Sequence, residues 1–441
     1  MSTSDPSTAA GAGAPTAAGA GAPTDPAVSS RWQVPHDHPA RRHRARSLVA
    51  QRGGTHLLVT DPLNVRYLSG FTGSNGQLLI GSDPAEDVLI TDHRYDERAA
   101  VEAPGLTRVL DRDPVAVVLD RLTDPSTGSP SGATGAADEG EVACAGGDDG
   151  DGAAGGAGGG AAVGAAVGAG TGPRLLVEEH HLTWAAADDL LGRAQRRVAV
   201  GRSARLVEAL RVLKDDAEVE RLTAACAITT ESLAWLLEEV VAVGRTEREL
   251  ATALERRFVD AGADGRAFAS IVASGANAAI PHHEPTDRRL AAGDLLTIDC
   301  GALVDGYHAD HTRTVAIGHL ADELRVIHEL VVAAQAAGVA VLRPGVTGGE
   351  VDAAARSVIE AAGHGAAFVH GTGHGVGLAI HEDPAVGRGS AATLAAGVVC
   401  TVEPGIYLPG IGGVRIEDTL VVTADGTARS LTDTPRELRI L

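Results

Sequence analysis

Four carboxylates and one imidazole stand where a charge is costly. Asp299 closes the apolar run LLTI, Asp310 follows immediately before HTRT, Glu403 lies in TVEPGIY, Glu417 lies in VRIED, and His374 sits in HGTGHGVGLAIHE. A carboxylate at the end of a buried strand needs a counter-charge or a metal. A hard, oxygen-rich set with a single imidazole suits divalent Mn, Co or Zn better than copper or a thiolate site. Four carboxylates can balance two dications, so a two-metal site is expected, with Asp299, Asp310, His374, Glu403 and Glu417 as candidate ligands. Taken singly, each acid is more often a solvated group near a strand end. All five in this order leave that alternative little weight.

Those residues need a scaffold. His370, His374 and His381 are too closely spaced, and too interleaved with glycine, to fill the core of a regular helix or strand; the glycines suggest a tight backbone presenting imidazoles inward. The stretches FASIVASG, DLLTIDCGALVDG, TRTVAIG, VVCTVEPGIY and GVRIEDTLVVT read as apolar strands, with helices near 322–342 and 349–362 between the third and fourth. The run LKDDAEVERLTAACAITTESLAWLLEEVVA has helical apolar spacing, and Thr246 with Glu249 three residues on reads as a capping box opening a second helix. Ahead of these lie RRHRARSLVAQRG, a helix with a basic outer face, THLLVT as a buried strand, and Asp61-Pro62 as a turn. Alternating short strands and helices there suggest an α/β domain. Val198 to Lys214 reads as a linker into a second, sheet-rich domain.

At 441 residues the chain is long enough for two domains. Hydrophobic residues make up 44% and aromatic residues 2%, so the core must be aliphatic. A net charge of −21 argues against binding a phosphate backbone, and nucleic acid is excluded as a partner. No apolar run is expected to reach membrane-spanning length, and the N-terminus lacks a basic-then-apolar signal, which makes a cytoplasmic address the simplest expectation. Residues 1–30 read as a disordered tail, and about 125–172 as a low-complexity insertion with six acidic residues and no basic one. Cys144, Cys226, Cys300 and Cys400 lack CxxC spacing and are expected as reduced thiols. His180-His181 is expected as a solvated pair at a strand end, without a carboxylate framework.

The motifs IDCGALVDGYHADHTRT, HGTGHGVGLAIHE, TVEPGIY and GVRIED, in that order, resemble the pita-bread metallopeptidases, the family of methionine aminopeptidase, aminopeptidase P, prolidase and creatinase. NVRYLSGFTGSNG and ITDHRY resemble the N-domain of the aminopeptidase P and prolidase branch. The resemblance implies an α+β chain: a creatinase-like α/β domain over 31–200, then a pita-bread catalytic domain over 201–441 built as a curved antiparallel sheet with outer helices. It carries the paired metal ligands onto Asp299, Asp310, His374, Glu403 and Glu417. It places Glu403 as the proton shuttle for a hydroxide activated by two divalent ions, Mn first, with Co or Zn as alternatives. His282 becomes a substrate contact, His370 and His381 line the proline side and stabilise the tetrahedral intermediate, and Arg415 and Tyr407 tie a ligating aspartate into a hydrogen-bond relay. The implied reaction is Xaa-Pro aminopeptidase cleavage of peptides with proline second, with prolidase action on Xaa-Pro dipeptides as the alternative and a creatinase-like hydrolase or binding module further behind. The branch also implies a homodimer or homotetramer.

Overall fold

The computed structural model describes residues 32–123 and 172–441. The expected tail, nearly all of the acidic insertion, and Cys144 lie outside the described residues. The N-terminal part is a six-stranded mixed sheet in the order Thr107–Leu110, Val88–Thr91, Gly76–Ile80, His56–Val59, Arg174–Val177, Ala199–Arg202. His56–Val59 runs antiparallel to Gly76–Ile80 and parallel to Arg174–Val177, which joins segments on either side of the insertion. Its core is aliphatic, as the composition requires: Leu58, Leu79, Val88 and Ile90 pack on Val118 and Leu119 of helix Pro114–Thr123 and Leu190 of helix Trp184–Ala194.

Two local readings change. Asp61-Pro62 is a helix start: the Asp61 side chain accepts from Leu63 N and Pro62 opens helix Pro62–Ser69, a position where the missing N–H costs nothing. Val198 to Lys214 is more than a linker, since it supplies edge strand Ala199–Arg202 and helix Leu206–Arg211.

The C-terminal part begins with helices Asp216–Glu239 and Glu247–Asp260, each opened by a capping box, the second on Thr246 and Glu249 as expected. Four antiparallel ladders follow, the smallest of three strands made of Gly265–Arg266, Ala302–Val304 and Tyr307–His308. Ile271–Ser274, Leu295–Cys300 and His311–Ala316 form one; Glu382–Val386, Gly373–Gly375, Val399–Val402, Asp418–Val422 and Ala428–Ser430 form another; Gly405–Leu408 pairs with Gly412–Arg415. Helices Asp322–Val341 and Gly348–Ala361 pack on these ladders, burying Ile327, Val331 and Ile359 against Leu295, Ile406, Val414 and Ile416.

One expectation fails here. The 20-residue helix Asp322–Val341 is, by length and composition alone, apolar enough to cross a bilayer. Asp322, Glu323 and Arg325 at its start interrupt the run in the sequence. It serves as a core helix: Gln335 Nε2 donates to Asp418 Oδ2 at 2.8 Å and His328 Nε2 donates to the Thr314 carbonyl at 3.1 Å, both across buried contacts.

Candidate active site

Strand register explains why residues far apart in the chain converge. Thr312 pairs directly with Asp299, so Asp310, two residues before Thr312, falls on the same face beside it. Val402 pairs with Asp418, and the next positions outward are Glu403 and Glu417. Strand Gly373–Gly375 lies against Val399–Val402 and brings in His374. His374 Nε2 is 3.5 Å from Asp310 Oδ2 and 3.4 Å from Glu403 Oε1. Ligand atoms of Asp310, His374 and Glu417 all lie within 4.8 Å of one another.

The glycines flanking His374 have a different task from the one a lone reading of the motif suggests. A Cβ on Gly373 would lie 2.1 Å from the Thr401 carbonyl oxygen, and one on Gly375 would lie 2.3 Å from that of Asp383. They let His374 sit on a strand squeezed between two neighbours.

Electrostatics test whether these residues fit a metal. Burial, then the Asp299 and Glu403 carboxylates, hold Asp310 well above the usual carboxylate range, and burial with Asp310 does the same to Glu417. Burial pushes Glu403 to about 8, Arg415 opposing and Asp299 adding. Asp299 Oδ1 is buried with no hydrogen-bond partner. Crowded buried carboxylates with an orphaned oxygen are what a site for divalent cations presents in their absence, so the donor set fits such ions. Burial lowers the His374 pKa to about 4, so the ring is neutral near pH 7. Its Nδ1 lies 3.0 Å from the Gly375 carbonyl, which accepts a hydrogen bond from Nδ1–H and so leaves the Nε2 lone pair toward the acids.

Around the ligands runs a bonded chain. Arg415 Nη2 donates to Asp299 Oδ2 at 2.6 Å, Nη1 to Tyr407 OH at 2.9 Å and Nε to Thr312 Oγ1 at 3.2 Å, while Thr312 Oγ1 donates to Glu417 Oε2 at 2.6 Å. His370 Nδ1 meets the Gly371 carbonyl at 2.7 Å and Nε2 meets Tyr407 OH at 2.8 Å, so both ring nitrogens are engaged within the protein. Thr312 and the Gly375 carbonyl were invisible as site groups in sequence; the HTRT register opposite Asp299 was the available signal for Thr312.

A cavity of about 480 Å³ opens on this cluster, lined by Asp299, Asp310, His374, Glu403 and Arg415, by His282, His370 and His381, and by Phe268, Ile271 and Ile380 among others. Among the described residues, Glu417 and Tyr407 are not on its surface; they act from behind it. The His381 ring stands 4.4 Å from that of His374, centroid to centroid. His282 is exposed, and its neighbour His283 is buried, bonding Glu247 Oε2 at 2.8 Å.

A second group, Asp61, His180 and Glu208, also gathers potential ligand atoms within 4.8 Å, so His180 does have carboxylate company, contrary to expectation. Arg205 and Arg211 line the same cavity, and His180 Nε2 is 2.6 Å from Glu208 Oε1. Arg205 and Arg211 are themselves paired with Asp383 and Glu382, and Glu208 is held by His180 and by Asn64 Nδ2 at 2.9 Å, so the group reads as a hydrogen-bonded polar cluster. Cys226, Cys300 and Cys400 are free and buried, as expected.

Antiparallel ladders with buried acids and a neutral histidine converging under a cleft, in a chain that also carries an N-terminal mixed sheet, are the arrangement of a two-domain metal-dependent hydrolase of the pita-bread type. Residues 220–424 match metallopeptidase family M24, and residues 41–135 match the creatinase/prolidase N-terminal domain. The chain is 36% identical over 401 residues to the uncharacterized peptidase YqhT of Bacillus subtilis, covering 90% of this chain and 99% of that protein. It is 42% identical over 233 residues to an Xaa-Pro dipeptidase of Pyrococcus furiosus, covering 53% and 66% respectively. Among solved structures, an Xaa-Pro dipeptidase from Bacillus anthracis superposes with a TM-score of 0.77 at 32% identity, covering 92% of this chain and all (100%) of the other. An X-Pro aminopeptidase from Thermotoga maritima gives 0.74 at 29%, covering 91% and 99%. The chain belongs to metallopeptidase family M24.

Proposed function

We propose that this chain is a metal-dependent peptidase that cleaves the bond preceding proline, with Xaa-Pro dipeptides as its preferred substrates. The observation that carries the reading is the pairing of the five-residue ligand cluster with relatives named Xaa-Pro dipeptidase, one of them superposing over nearly the whole chain. Those names favour the dipeptidase over the aminopeptidase first implied by the motifs.

In this reading Asp299, Asp310, His374, Glu403 and Glu417 hold two divalent ions, Mn first and Co or Zn as alternatives. Bound there, such ions would lower the pKa of a water and would polarise the scissile carbonyl. Glu403 takes the proton from the attacking water and delivers it to the proline nitrogen as the bond breaks. His381 and His282, on the cavity wall, stabilise the charge that develops on the carbonyl oxygen. His370, with both ring nitrogens occupied, offers a flat wall to the proline ring and fixes Tyr407 against Arg415. Proline supplies a tertiary amide with no N–H and a fixed φ, a substrate that a wall can recognise without a hydrogen-bond acceptor.

The aminopeptidase reading retains one specific support. Of the arginines and lysines, only Arg415 is among the described residues lining the cavity, and it is committed to Asp299 and Tyr407. A dipeptide's free carboxylate would find no unengaged arginine or lysine there, whereas a longer peptide brings a neutral amide. Comparing kcat/KM for Xaa-Pro with that for Xaa-Pro-Yaa decides: higher values on the dipeptide are expected, and turnover confined to the tripeptide would reverse the assignment.

A further inference from the structure

Every described residue lining the site cavity falls between 268 and 415, so the N-terminal domain reaches the chemistry only indirectly. A buried polar chain shows how. Glu382 follows His381 directly. Its Oε1 accepts from Arg211 Nη2 at 2.5 Å and from Ala379 N at 2.8 Å, and its Oε2 accepts from Lys214 Nζ at 3.2 Å. The side chains of Lys214, Arg211 and Glu382 are 0%, 5% and 7% exposed, so the only lysine of the chain is spent inside it. Arg211 Nη1 continues to Asn64 Oδ1 at 2.8 Å, and Asn64 Nδ2 donates to Glu178 Oε1 at 2.7 Å and Glu208 Oε1 at 2.9 Å. Glu178 in turn accepts from the backbone N–H groups of Thr60 and Asp61, where strand His56–Val59 gives way to helix Pro62–Ser69.

A buried ion pair of this kind contributes little net stability over apolar side chains of the same shape, because desolvation offsets the attraction; what it fixes is geometry. Here the geometry fixed is that of the segment 379–382, which carries His381. Glu382 clamps it from both sides, binding the Ala379 N–H on the near side and two cations from the interdomain segment on the far side.

We propose that Arg211 and Lys214 are positioning residues that act through Glu382 to hold His381 at the scissile carbonyl, so that residues outside the cavity, Arg211 being tied to Asn64 of the N-terminal domain, set the rate without touching substrate. The proposal rests on the peptidase reading for its kinetic test, and its structural test is independent of that reading. Arg211→Met, Arg211→Lys and Lys214→Met are each loaded with Mn, checked for metal content and folding, and assayed on Xaa-Pro peptides. A displacement of about 1 Å in a catalytic group costs on the order of 10²-fold, so kcat is expected to fall about tenfold or more in Arg211→Met and Lys214→Met. KM and metal content should stay within about twofold, and Arg211→Lys should recover most of the loss. Folded, metal-loaded Met variants with wild-type kcat would overturn the proposal, as would a loss confined to metal content. The imidazole NMR signal of His381, assigned by its disappearance in His381→Asn, reads the same geometry in Zn-loaded protein without any substrate. A shift in Arg211→Met supports the strut and an unmoved signal overturns it, even if no proline peptide is cleaved by the parent protein.

Discussion

Asp299 shows how one side chain divides its work: Oδ2 is held by Arg415 while Oδ1 is left buried and unpartnered. Replacing it with asparagine removes one negative charge from the cluster and places an amide where a cation should bind. Asp299→Asn is therefore expected to lose at least one ion per chain and about 10²-fold or more in kcat, measured by metal analysis beside the peptide assay. Tyr407 stands one step further out, its hydroxyl bridging His370 Nε2 and Arg415 Nη1. Tyr407→Phe should leave metal content unchanged and lower kcat about tenfold, since only the orientation of the relay is lost. The five candidate ligands were legible in sequence only as a set, because each acid alone is more often solvated and it is their recurrence in aliphatic strands, in that order, that leaves the alternative little weight. The carbonyl of Gly375 was not, because every residue has a carbonyl and only the fold says which one faces His374.

At the scale of elements, the helix Glu247–Asp260 carries more than its sequence announces. Thr246 and Glu249 are a local signal and were readable as a cap; Glu247, between them, accepts from Ser274 N and Oγ, Asn277 Nδ2, His283 Nε2 and Thr286 N and Oγ1, donors drawn from a segment up to 39 residues away. That carboxylate pins the loop on which His282 faces the cavity. Burial alone would raise its pKa, but the hydrogen bonds from Thr286, His283 and Ser274 outweigh it and bring it from 4.5 to about 2. A depressed acid pKa means stability that is present above pH 4.5 and lost as pH falls toward 2. The melting-temperature gap between the wild type and Glu247→Gln is thus expected to be widest above pH 4.5 and to close toward pH 2. A gap independent of pH would show that the charge of Glu247 does no holding. Gly373 is a second element-scale case: Gly373→Ala forces a methyl against the Thr401 carbonyl and should cost about 1–3 kcal/mol in chemical denaturation. Asp61-Pro62 was misread for a physical reason, since proline after an aspartate opens turns and helices alike and only the contacts of Pro62–Ser69 decide between them.

Across the whole molecule, the two-part organisation and the order of the catalytic strands followed from periodicity and motif order, while the joints between the parts did not. Asn64 lies more than a hundred positions from both Arg211 and Glu178, and nothing in their local sequence marks the three as a chain ending on Glu382. The same long-range packing turned the apolar run of Asp322–Val341 into a core helix. Because the acids of the site repel one another when nothing is bound, cation binding should stabilise the entire catalytic part, by about 2.7 kcal/mol at a free concentration one hundred times Kd. The melting temperature should rise with added Mn in the parent protein and rise less in Asp299→Asn. The central claim is that these five residues hold ions for cleavage before proline. The most direct test is metal content measured on the same samples as hydrolysis of an Xaa-Pro dipeptide panel. The account predicts two ions per chain and turnover that disappears with chelation and returns with Mn; a fully loaded protein that leaves every such bond intact would contradict it.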